Sequence, residues 1–285
     1  MLAEPRVTTT EPTAEVPQST VFCADDADLI IRAAGEFNFR VHKCILSLVS
    51  PIFKDMFAIP QPTTDTPSTL PHIDVQDSPK TWDNILRTIY PMPNPTIDKL
   101  DDLESLLLTA EKYEMQFVID SHKRSLENRE FIRENPLRLY AITCAGGLED
   151  QAKYVARNAE LFAVIRRPQD NDLNRLTVGF YHRLITFLVE RDHEWDRRLS
   201  KPLPPPHPQC RCEKNREVFV EEVKKDLKIW NLRAEEIYFK ALENPRRLAS
   251  VCGTQRPCVF LASEMKLFID GMIQERETIC NKFMW

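Results

Sequence analysis

Cys210 and Cys212 stand one residue apart, His207 lies just ahead of them, and Cys252 and Cys258 follow with five residues between them. A Cys-x-Cys pair brings two sulfurs within reach of one cation. Four thiolates then close the tetrahedral shell that a structural zinc requires. Cys210, Cys212, Cys252 and Cys258, with His207 as a further donor, are therefore candidate ligands of a structural zinc. The spacing departs from the usual C-x2-C, so two other states stand beside the metal: unconnected buried thiols, or a disulfide. A zinc or a disulfide would tie PLPPPHP, residues 202–208, to the end of a long helix predicted before Asn244-Pro245.

Nucleophilic catalysis is the other chemistry the residue types allow. It needs a cysteine, a histidine and an orienting group brought together. Cys144, His182 and His193 are available, but both histidines lie in a stretch dense with Arg, Asp and Glu, which reads as a solvated helix face. The chain has 6 glycines, and none can form G-x-G-x-x-G, G-x-x-x-x-G-K-S/T or G-x-S-x-G. His193-Glu194 is followed by Trp-Asp-Arg, so H-E-x-x-H is absent too. No catalytic residue is assigned, and the chain is expected not to be an enzyme.

The elements that would position such residues follow from composition and periodicity. The 285 residues suggest about two domains. Hydrophobic residues make up 42% and charged residues 28%, an ordinary globular mixture. The net charge is −5 with no basic stripe, so direct nucleic-acid binding is not expected. No apolar run suits a membrane span, and the first twenty residues lack the apolar core of a secretory signal. A cytoplasmic or nuclear setting with reduced thiols is expected. Cys23, Cys44, Cys144 and Cys280 then read as small apolar residues.

Residues 1–22 are rich in Thr, Pro and Glu and read as a disordered tail. Leu29-Ile30-Ile31, the turn Ala34-Gly35-Glu36 and the alternating Phe37–Val41 read as a hairpin. The period then changes. Ile45, Leu46, Leu48 and Val49 fit a short buried helix, and Ser50-Pro51 caps a second one carrying Ile52, Phe53, Met56 and Phe57. Residues 58–71 read as a Pro- and Thr-rich loop, His72–Val75 as a strand, and Ser78-Pro79 as another helix start. Trp82, Ile85, Leu86, Ile89 and Tyr90 line that helix. Leu106, Ala110, Tyr113 and Phe117 recur at helical spacing. Beyond residue 130 only helical stripes remain. They are Leu148, Ala152, Val155, Ala159, Phe162; Leu173, Leu176, Phe180, Leu184, Phe187; Phe219 to Ala241; and Leu261, Met265, Phe268, Met272.

The segment DLIIRAAGEFNFRVHKCILSLVSPIFKDMF, from Asp28 to Phe57, resembles the signature of the BTB/POZ family. The likeness continues through the Ile73-Asp74-Val75 strand and SPKTWDNILRTIY, and ends in LLLTAEKYEMQFVID. The segment NPLRLYAITCAGGLEDQAKYVARNAELF resembles the helical region that trails this domain in many fungal members.

The resemblance implies an α+β fold, a small three-stranded sheet flanked by helices over residues 23–130. A helical extension over 131–200 and a C-terminal helical region over 201–285 would follow. The family's activity is binding, either self-association as a homodimer or recruitment of partners such as cullin-type ubiquitin ligases. On that footing the chain is a protein–protein interaction module, in its most concrete form a substrate adaptor of such a ligase. A transcriptional co-regulator acting through partners and a zinc-stabilised hydrolase are the alternatives. Asp28, Arg40, His42, Phe53, Met56, Phe57 and Tyr113 occupy family positions and are the candidate partner-binding residues, with His42 also readable as a packed structural histidine.

Two features set the chain apart. Cullin-binding members carry a hydrophobic-x-Glu element after the S-x-x-F-x-x-M-F helix, whereas AIPQPTTDTPSTLP contains no Glu. Members that swap an N-terminal strand have an ordered helix before the Asp strand, where this chain has its Thr/Pro tail.

Overall fold

The computed structural model describes residues 17–59, 70–166, 174, 176–200, 221–225, 227 and 259–283. The chain divides into two compact units, one ending at His122 and the other beginning at Lys123.

The first unit is built on a hairpin. Strand β1 (Leu29–Ala33) and strand β2 (Phe37–Val41) pair antiparallel, with Leu29 opposite Val41 and Ile31 opposite Phe39. The reversal uses Gly35 at φ +77° and Glu36 at φ +60°, left-handed geometry that glycine adopts without a side-chain clash. Alternation does the rest: Leu29, Ile31, Ala33, Phe39 and Val41 are buried, and the residues between them face outward. Strand β3 (His72–Asp74) runs parallel to β1, giving the sheet order β2-β1-β3.

Helix α1 (Lys43–Val49) buries Leu46 alone, and Leu48 is 86% exposed. The sequence expectation placed Leu48 inside. At seven residues the helix is too short for two apolar faces, and Leu46 takes the inner one. Helix α2 (Pro51–Ala58) starts as expected, with Pro51 at its first position and the Ser50 hydroxyl accepting from the Phe53 N–H. Helix α3 (Pro79–Ile89) repeats the device, its Ser78 hydroxyl accepting from the Thr81 N–H. Helix α4 (Leu100–Lys112) is buried on most of its circumference through Leu100, Leu103, Leu106, Leu107 and Ala110.

The stripe predicted to run through Phe117 is broken. The chain turns at Glu114, φ +52°, and helix α5 (Gln116–His122) starts afresh. Phe117 is left 55% exposed, while Met115 and Val118 enter the core in its place.

The regular elements described in the second unit are all helices. A 3-10 turn (Lys123–Glu127) leads into α6 (Arg129–Glu134), α7 (Pro136–Ala145), α8 (Glu149–Asn158), α9 (Leu161–Arg166), α10 (Val178–Leu199) and α11 (Val259–Phe283). The stripe Leu148 to Phe162 also divides. Ala152, Val155 and Ala159 are buried, but the chain bends after Asn158 and Phe162 is 67% exposed. Leu184, Phe187, Leu188, Trp195 and Leu199 on α10 face inward, as do Met265, Ile269, Met272 and Ile279 on α11.

Helix α10 buries polar groups as well. Arg191, 0% exposed, sends its Nη1 to the carbonyls of Ala156, Arg157 and Ala159 at 3.3, 3.3 and 2.8 Å, and its Nε to the Asp192 carboxylate. It thereby caps the C-terminal end of α8. Burial lowers the pKa of this guanidinium. Among the described residues, no helix is long and apolar enough to cross a membrane.

Candidate functional site

The candidate partner-binding residues of the first unit fall into two groups. Asp28, Arg40 and His42 lie around the hairpin. Asp28 is exposed, and its carboxylate accepts from the Lys43 N–H at 2.7 Å. It supplies the N-terminal cap of α1 that the His42 side chain does not. The guanidinium of Arg40 meets Asp25 at 3.4 Å. The backbone N–H of His42 donates to Tyr90 Oη at 2.9 Å, so the phenol hydrogen can donate to His42 Nδ1 at 3.0 Å. Nε2 then carries the ring hydrogen and faces Asp26 at 3.4 Å. Burial pushes the Tyr90 phenol above its ordinary pKa, which keeps it a donor. Tyr90 also packs edge-on against Phe22, holding residues 17–22 beside β2.

The second group lies on and under α2. Phe53 is 0% exposed, with ring centroids 4.9 Å from Tyr113, 5.8 Å from Phe57 and 6.1 Å from Trp82. Tyr113 is buried beside it. These two side chains are withdrawn into the core because α2 and the end of α4 are pinned together: the Ser50 hydroxyl donates to the Tyr113 carbonyl at 2.6 Å. Met56 and Phe57 are half-buried and remain reachable.

The surface feature that sequence reasoning missed is a groove of about 690 Å³ between α1, α2 and α5. Leu48 and Phe117 stand exposed along it, with Val49, Pro51 and Ile89 completing the apolar lining. Both Leu48 and Phe117 sat inside helical stripes, so periodicity assigned them to the core. The one local hint was for Leu48, two residues before Ser50-Pro51; nothing in the sequence marks the turn at Glu114 that exposes Phe117.

In the second unit, Cys144 is half-buried beside Tyr140 and Arg183, and burial raises its thiol pKa. A raised thiol is a weak nucleophile. His182 and His193 are both exposed. Of the four cysteines read as small apolar residues, Cys280 is buried, Cys144 half-buried, and Cys23 and Cys44 exposed. Cys210, Cys212, Cys252, Cys258 and His207 lie outside the described residues, as do residues 1–16 and most of the 58–71 loop. Among the described residues no cluster of His, Cys, Asp and Glu could hold a metal.

A three-stranded mixed sheet flanked by helices, with an apolar groove on the helical side, makes up a small α+β domain. The sequence model of the BTB/POZ domain matches residues 21–130. Those residues are a BTB/POZ domain, a non-enzymatic protein–protein interaction module, followed by helices. No curated protein matches the chain.

Proposed function

We propose that the chain is an interaction protein whose BTB/POZ domain offers the Leu48–Phe117 groove to one protein while its helical extension holds another. Its concrete form is a substrate adaptor of a cullin-type ubiquitin ligase. The observation that carries the reading is the groove itself. Two large apolar side chains stand free along a concavity, rimmed by Lys54, Asp55 and Glu114. An apolar centre with a charged rim is the anatomy of a docking site, and scattered exposed residues do not give it.

The loop after α2 has no Glu in AIPQPTTDTPSTLP, so the domain lacks one contact that tight cullin binders use. Binding to a purified cullin N-terminal domain is therefore expected in the micromolar range by calorimetry on the full chain. Leu48→Asp with Phe117→Asp should abolish it without unfolding the domain, because both side chains are exposed. Sub-micromolar binding would mean that the acidic element is dispensable. Undiminished binding by the double variant would remove the groove from the interface, and no binding would end the adaptor reading.

A further inference from the structure

The second unit holds a cavity that the interaction reading does not use. It lies between α7, α8 and α10, has a volume of about 270 Å³, and is walled by Leu148, Ala152 and Phe180, with Tyr140, Thr143, Cys144, Glu149 and Arg183 as its polar lining. Its size is at the lower edge of ligand pockets, suited to one side chain or a ligand of similar bulk. We propose that this cavity binds an apolar body bearing a single carboxylate, with the acid group held by Arg183.

Two observations support that chemistry. The Arg183 guanidinium lies 5.6 Å above the Phe180 ring, so a cation and an apolar wall share one side of the cavity. A planar guanidinium takes a carboxylate by two parallel hydrogen bonds. Burial pushes both the Tyr140 phenol and the Cys144 thiol up, so the two side chains, hydrogen-bonded to one another, stay neutral at neutral pH and add no negative charge to the cavity. The Thr143 hydroxyl is committed elsewhere, donating to the Tyr140 carbonyl at 2.8 Å. Glu149 is the opposing charge in the lining. Its carboxylate accepts from Lys153 Nζ at 2.6 Å, and that contact holds it below the usual carboxylate range. A bound acid would gain from Arg183 and be repelled by Glu149, so the two side chains make opposite predictions.

The test uses the full chain and 3-phenylpropionate. Alkylation by N-ethylmaleimide is followed by mass spectrometry of the Cys144 peptide, with exposed Cys44 as the internal control. The acid should slow alkylation of Cys144 and leave Cys44 unchanged, and 3-phenylpropionamide should do neither. Arg183→Gln should raise the concentration needed by about tenfold, the scale of one charge-assisted hydrogen bond, and Glu149→Gln should lower it. Calorimetry of the same titration gives a readout that does not depend on thiol access. An acetylated tripeptide ending in Phe with a free C-terminus, against its amide, separates the two sources of this chemistry. Protection by the free peptide at lower concentration than the small acid assigns the site to a partner's C-terminus, and the reverse order assigns it to a small organic acid. Equal effects of acid and amide, no change in Arg183→Gln, or no binding by calorimetry would overturn the proposal.

Discussion

Ser50 serves two helices with one oxygen. It accepts from the Phe53 N–H at 3.1 Å as the cap of α2, and it donates to the Tyr113 carbonyl at 2.6 Å where α4 ends. The side chain is fully buried, so water cannot replace either bond. The Phe53–Tyr113 stack depends on this junction. Ser50→Ala removes both partners at once and strands a buried carbonyl. It should lower the stability of the first unit by about 1–3 kcal/mol in urea unfolding, above the cost of an ordinary exposed cap. A loss no larger than that of Ser78→Ala, whose hydroxyl caps α3 in a half-buried setting, would show that the bond to Tyr113 contributes nothing.

At the scale of elements, what could be read in the sequence was what local chemistry decides. The hairpin follows from alternation and one glycine. The starts of α2 and α3 follow from Ser-Pro pairs, and the family signature follows from the order of these pieces. What could not be read depended on tertiary context. Leu48, Phe117 and Phe162 share the spacing of core residues, and only the turns at Ser50, Glu114 and Asn158 put them outside. The candidate zinc ligands were found by spacing alone, and no periodicity places them. Arg191 is the converse case. It sits in a charge-rich stretch that reads as solvated, yet it is enclosed and caps α8 through three carbonyls. Its Nη1 meets the carbonyls while Nε and Nη2 hold the Asp192 carboxylate, and doing both at once needs a planar fork with several donors. Arg191→Met should cost about 3 kcal/mol in unfolding of the second unit, because the carbonyls lose a buried charged donor. Arg191→Lys should recover only a small part of it, since an ammonium offers a more compact set of donors. Full recovery by Lys would show that charge alone, and not the fork, holds the end of α8.

The molecule as a whole consists of two compact units, and acid should act on them differently. His122, the last residue of the first unit, is 2% exposed. The Thr88 hydroxyl donates to the Asn84 carbonyl at 2.8 Å, so it accepts from His122 Nε2–H at 3.0 Å. Burial lowers the pKa of His122 from its ordinary 6.5. Above pH 6.5 the imidazole is neutral in both folded and unfolded chains and contributes no pH dependence. As the pH falls through 6.5 the unfolded chain takes up a proton that the folded chain refuses, so stability is lost on acidification until the folded pKa is reached. The slope cannot exceed about 1.4 kcal/mol per pH unit for one proton. His122→Gln keeps a donor for Thr88 and removes the titration, so the difference between the two proteins isolates this group from the carboxylates. Trp82 is the one tryptophan among residues 1–122, and in 5-fluorotryptophan-labelled chain its 19F resonance reports the urea midpoint of that unit. Between pH 6.5 and 5 the midpoint should fall faster in the parent than in His122→Gln, while the Trp195 resonance, from the second unit, should show no such difference. Equal slopes in parent and variant would mean that His122 takes up its proton as readily in the folded unit as in the unfolded chain.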